Sequence, residues 1–137
     1  MAKIILASHG GLSKGMKDSV SMIVGDLAKD IETYSLLPGQ NPEDFYQEVL
    51  KEAKESEEQI VILCDIKGGS VHTALSKLAV LDNVMVFSGM NMGLVLDAVM
   101  KCLNGKLELA EANDLIEAAK DGMTVMNGMT SEDDEDF

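Results

Sequence analysis

Short apolar runs ending in glycine-rich turns alternate along this chain with longer stretches whose apolar residues recur every three or four positions. Residues 3–8, KIILAS, form the first run and lead into His9, Gly10 and Gly11, which predicts a buried strand and a turn. From 12 to 29, Leu12, Met16, Val20, Ile23, Val24 and Leu27 recur at helical spacing, with Ser13 as the expected cap. Residues 31–36, IETYSL, read as a second strand, and PGQNPED interrupts the chain after it. There Asn41 is placed to cap, Pro42 to open, and Glu43 and Asp44 to favour the positive end of a helix reaching about Ser56, with Phe45, Val49 and Ala53 as its buried face. The run at 60–65, IVILCD, is the strongest strand signal, and IKGGS leads from it into a helix from Ser70 to Leu81. NVMVFSG predicts a fourth strand, MNMG a helix to about Leu103, and ELAEANDLIEAAKDG a last helix stopped by glycine. MTVMN, at 123–127, is the candidate for a fifth strand, and TSEDDEDF is a like-charged tail expected to be disordered.

Four strand–helix units follow one another, and the first, third and fourth strands are apolar throughout, as strands covered on both faces must be. The expected fold is therefore α/β: an open, doubly wound, mostly parallel sheet. At 137 residues, without internal repeat or linker, it makes one domain over 1–127 followed by an acidic tail at 128–137.

Composition narrows the function. Acidic residues number 24 against 11 basic ones, all lysine, for a net charge of −13, to which the tail contributes five acids at 132–136. Such a surface repels nucleic acid and anionic membrane, and without arginine there is no bidentate reading of phosphate or base. Cys64 and Cys102 lie inside apolar runs at a spacing that fits no zinc pattern, so they read as buried thiols of a reducing compartment and no metal or cofactor is implied. No signal peptide or membrane-spanning run is visible, which places the chain in the cytoplasm.

In a doubly wound sheet, ligands bind where strands end at their carboxyl edge, beside the reversal in strand order. The first strand delivers Ser8, His9, Gly10 and Gly11 to that edge. The third delivers Asp65, Gly68, Gly69 and Ser70, and the fourth Ser88, Gly89 and Asn91. An imidazole is a good nucleophile near neutral pH, and a carboxylate accepting one ring N–H leaves the other nitrogen free to attack. With helix N-termini and the Ser70 hydroxyl close by, the fitting electrophile is a phosphoryl group and the product a phosphohistidine. Each residue also has a plainer reading: a loop histidine, a helix-capping aspartate, an ordinary GGS turn, and in His72 a surface or packing residue. Convergence of His9, Asp65 and Ser70 on one edge favours chemistry. Esterase, receiver-domain and dinucleotide-binding readings fail because the G-x-S-x-G elbow, the acidic pair after the first strand and the G-x-G-x-x-G spacing are missing.

The segments SHG, DIKGGS and GMNMGL, in this order, resemble the IIA component of the mannose-class (mannose, fructose, sorbose) sugar phosphotransferase system, over residues 1 to about 127. The resemblance implies that His9 is the phosphorylated residue, that Asp65 orients it, and that Ser70 contributes to a phosphate site, with Gly69 and Gly10 beside it. It implies a relay from the phosphocarrier HPr to a separate IIB component, which serves the IIC and IID membrane subunits. It also implies a cytoplasmic homodimer, at times peripheral to the membrane, with an antiparallel terminal strand for which 123–127 is the candidate. Lys67, Val71 and Gly93 depart from the family pattern on what would be the partner-facing rim. A dihydroxyacetone kinase phosphotransfer subunit and a non-transferring regulatory module share the resemblance.

Overall fold

A computed structural model describes residues 2–128. The elements run β1 (Lys3–His9), α1 (Leu12–Val24), β2 (Glu32–Leu36), α2 (Pro42–Glu55), β3 (Ile60–Cys64), α3 (Ser70–Leu75), β4 (Val84–Phe87), α4 (Met92–Cys102) and α5 (Leu109–Asp121). The strands form one sheet in the order β2-β1-β3-β4, and every neighbouring pair is parallel. The order reverses between β1 and β3, which pair Ile5 with Ile62 and Ala7 with Cys64. The predicted α/β doubly wound architecture is the observed one.

Alternation along the central strands sorts the core into two layers. Ile4 and Leu6 of β1 and Val61 and Leu63 of β3 face α1, α4 and α5, where Val20, Leu94, Val95, Ala98 and Leu115 complete the layer. Ile5, Ala7, Ile60, Ile62 and Cys64 face α2 and α3, against Phe45, Val49, Val71 and Leu75. All five β3 residues are buried, as the unbroken apolar run anticipates. Each large aliphatic side chain placed here stabilises the fold by about 1.5–3 kcal/mol.

Helix starts follow local chemistry in some places and tertiary contact in others. Asn41 caps α2 as expected, its Oδ1 accepting from Glu43 N at 3.0 Å, with Pro42 first in the helix. Ser13 does not cap α1: it is the second residue of the helix, and its own N–H donates to Ser8 Oγ at 2.8 Å. α1 also stops at Val24, where Gly25 at φ +59° turns the chain into a 3₁₀ segment to Ala28. The helix expected over 70–81 is α only to Leu75 and 3₁₀ from Ser76 to Val80.

Residues 123–127 form no strand. They are exposed and extend from the end of α5, leaving the four-stranded sheet entirely parallel. Apart from Gly128, the acidic tail lies outside the described residues. Among the described residues no helix is long and apolar enough to cross a membrane.

Candidate functional site

β1 and β3 end side by side at the reversal point, so His9 and Asp65 meet there although 56 residues apart. Asp65 Oδ2 accepts from the His9 backbone N–H at 2.9 Å and lies 2.8 Å from His9 Nδ1. The other carboxylate oxygen, Oδ1, accepts from Ile66 N at 2.9 Å. One acid therefore holds both the backbone and the ring of the histidine. On the far side of the ring, Nε2 is 3.0 Å from Ser70 Oγ. With Nδ1–H bound to the carboxylate, Nε2 carries the lone pair and the Ser70 hydroxyl donates to it.

Exposure separates the partners: the Asp65 side chain is 8% exposed and the His9 ring 48%. Burial by itself would raise the Asp65 pKa. Hydrogen bonds from the His9 N–H, the His9 ring and the Ile66 N–H outweigh it and hold the carboxyl below its ordinary range. Asp65 is thus an anion with a fixed direction, and His9 a half-exposed ring with one nitrogen on the carboxylate and the other on the Ser70 hydroxyl. Beneath them, burial pushes the Cys64 thiol up to about 12, and the Asp65 charge adds to the rise. Burial also raises Cys102. Neither thiol offers a thiolate near neutral pH.

The turns around the ring explain the glycines. Gly10 adopts φ +56° and donates its N–H to Leu36 O at 2.9 Å, so it anchors the β1 turn to the end of β2. Gly69 donates to Ile66 O at 3.2 Å. A Cβ on Gly69 would stand 2.8 Å from Ile66 Cγ2 and 3.2 Å from His9 Cε1. Only glycine lets this loop reach the imidazole. The N–H groups of Gly10 and Gly69, the two glycines expected beside a phosphate, are engaged with carbonyl oxygens. The N–H groups of Ser70 and Val71, in the first turn of α3, have no intrahelical acceptor.

Lys67 is exposed in the β3–α3 loop, and Gly93 is exposed at the start of α4. Val71 is fully buried under the sheet, so it belongs to the core and not to a partner-facing rim. Sequence reasoning missed the hydroxyls under the β1 turn. Ser8 Oγ accepts from Ser13 N and donates to Gly10 O at 3.2 Å, while Ser13 Oγ donates to Tyr34 O at 2.8 Å. Both serines are fully buried. A serine at the end of an apolar strand, five residues before a second one, was the available signal. His72, read as surface or packing, accepts from Gly68 N at 3.0 Å.

A parallel sheet with an aspartate–histidine–serine chain at its switch point defines an α/β domain organised around one half-exposed imidazole. Residues 3–120 match the family described as PTS system fructose IIA component. The chain belongs to this family, the mannose-class IIA components of the sugar phosphotransferase system, and as such is a phosphotransferase component in sugar uptake. The sorbose-specific EIIA component of Klebsiella pneumoniae is 31% identical over 101 residues, which are 72% of this chain and 73% of that protein. A IIA protein associated with the fucose utilization operon of Streptococcus pneumoniae is 27% identical, with a TM-score of 0.72 over 91% of this chain and 96% of that one. The mannose/sorbose-specific IIA subunit of Enterococcus faecalis has a TM-score of 0.76 over 95% of this chain and 98% of that one. At 22% identity it bears on the fold alone.

Proposed function

We propose that His9 Nε2 accepts a phosphoryl group from the phosphocarrier HPr and passes it to a IIB component of a mannose-class sugar transporter. The observation that carries the reading is the 2.8 Å contact of Nδ1 with Asp65, which leaves the lone pair on Nε2, held only by the Ser70 hydroxyl, on a half-exposed ring. The Nε2 lone pair forms the new P–N bond while the donor P–N bond breaks and its electron pair returns to the donor imidazole. Asp65 keeps the Nδ1 proton in place and balances the positive charge that develops on the substituted ring. The Ser70 hydroxyl, which donates to Nε2 beforehand, turns to a phosphate oxygen afterwards. The first-turn N–H groups of α3 face the same charge. Onward transfer is the same displacement in reverse, with the IIB side chain as nucleophile. In this reading residues 1–127 are the phosphocarrier domain. They work in the cytoplasm as a homodimer, beside the IIC and IID membrane subunits and at times peripheral to the membrane.

The test is incubation with phosphoenolpyruvate, enzyme I and HPr, followed by intact mass and ³¹P NMR. The wild type is expected to gain one acid-labile phosphate on a ring nitrogen, and His9→Ala none. A folded wild type that stays unmodified refutes the relay.

A further inference from the structure

Gly68 sits at φ +79° in the loop between β3 and α3, and both of its polar backbone groups are held by side chains. Its N–H donates to His72 Nδ1 at 3.0 Å, and its C=O accepts from Thr73 Oγ1 at 3.3 Å. Both side chains come from the first turn of α3, the helix this loop enters. The next two residues carry the close approach to the active imidazole: Gly69 packs by His9 Cε1, and Ser70 Oγ reaches Nε2. Gly69 N–H to Ile66 O closes the turn from the other side. Residues 66–68 are exposed, Ile66 Cγ2 lies beside Gly69, and the polar contacts on Gly68 hold the rest of the turn that places Gly69 and Ser70.

The geometry points to His72 and Thr73 as positioning residues for phosphoryl transfer: they pin Gly68, and through it the Gly69–Ser70 segment, against the His9 ring. The inference rests on His9 being the phosphoryl acceptor. The polar bonds of both residues to this loop go to Gly68, not to His9. To accept from Gly68, the His72 ring must carry its lone pair on Nδ1 and its proton on Nε2.

Two substitutions separate this role from simple packing. Leucine and asparagine have similar size and both branch at Cγ, but only asparagine offers an acceptor where Nδ1 stands. His72→Leu is expected to slow transfer from phospho-HPr about tenfold at saturating donor, with little change in the donor concentration for half-maximal rate. His72→Asn is expected to restore the rate to within about twofold. In ¹⁵N-labelled wild type, a scalar coupling across the N–H···N bond should link Gly68 N to His72 Nδ1. If His72→Leu does not fold, Thr73→Val against Thr73→Ser asks the same question of the Gly68 carbonyl. Wild-type transfer in His72→Leu, or equal slowing in the leucine and asparagine variants, overturns the inference while leaving His9 phosphorylation intact. A wild type that takes up no phosphate overturns the reading of His9 and this role with it, and the coupling then reports only whether the Gly68–His72 bond forms.

Discussion

At the amino end of the sheet, Lys3 Nζ lies 2.7 Å from Glu32 and 2.6 Å from Glu52, and Gln59 binds both the N–H and the C=O of Leu107 at 2.8 Å. Asn83 there donates to the carbonyls of Ala53, Ser56 and Glu58. At the carboxyl end, Asp65 is as fully engaged as any of these, but the histidine it holds keeps one nitrogen against a hydroxyl that can turn away. Both ends are polar and both are well bonded. Burial opposes charge on Lys3, yet its two carboxylates outweigh that and hold the ammonium above its ordinary pKa, locking the group as a cation. Asp65 is locked as an anion by the same logic. The difference lies one atom further out, where the amino end closes on itself and the carboxyl end leaves a directed lone pair covered only by the Ser70 hydroxyl on a half-exposed ring. Reactivity here comes from capacity left open after every supporting group is satisfied.

Replacing the aspartate strikes this contrast hardest. In Asp65→Asn one amide oxygen must serve donors that now meet two carboxylate oxygens, so an NH₂ faces either the His9 side or Ile66 N. The charge that balances the substituted ring is also lost. Transfer measured by rapid quench is expected to fall by on the order of 10²–10⁴. Because the folded carboxyl is held below its ordinary range, the unfolded chain takes up the proton more readily. The stabilisation is present above the ordinary carboxylate pKa of about 4 and is lost as pH falls through the folded value. Wild type should therefore exceed Asp65→Asn in thermal stability near neutral pH, and the gap should close in acid. An equal gap at both extremes contradicts the sign.

Crowding the ring is the next test. Gly69→Ala brings a methyl to 2.8 Å from Ile66 Cγ2 and 3.2 Å from His9 Cε1. It is expected to cost about 1–3 kcal/mol in stability and about a tenfold drop in transfer. Adding Ile66→Ala removes the tighter contact and leaves the one on the ring. Stability should then recover while transfer stays low. Recovery of both places the damage in the loop and not at the imidazole.

The same contrast explains what could be read without coordinates. The central strands were legible because burial on both faces demands an unbroken apolar run, as at 60–64, and the start of α2 because Asn41 and Pro42 act within one turn of chain. The meeting of His9, Asp65 and Ser70 at one edge followed from strand ends alone, since parallel strands must all deliver their carboxyl ends to the same side. Contacts made across the fold were not legible. Ser13 sends its hydroxyl to Tyr34 O on β2, 21 residues away, and its N–H back to Ser8, where local pattern assigned it the cap of α1. Val71 follows a serine in a polar loop, yet α3 turns it under the sheet. MTVMN has the composition of a strand but joins none of the strands among the described residues, since strand formation needs a partner edge as well as propensity.

The smallest effect on transfer is expected at the amino end. Gln59 is buried, and its amide bridges both backbone groups of Leu107, tying the start of β3 to the segment before α5. Gln59→Leu leaves that N–H and C=O without partners in a dry site, at about 1–3 kcal/mol for each group that cannot reach water. A fall in Tm of about 5–10 °C is expected by calorimetry. Transfer per folded molecule should stay within about twofold of wild type, because the site at the opposite end of β3 shares no partner with Gln59. If transfer fell tenfold at a temperature where the variant is fully folded, the amino end would be setting the position of Asp65 along β3. The closed end of the sheet would then be part of what aims the open one.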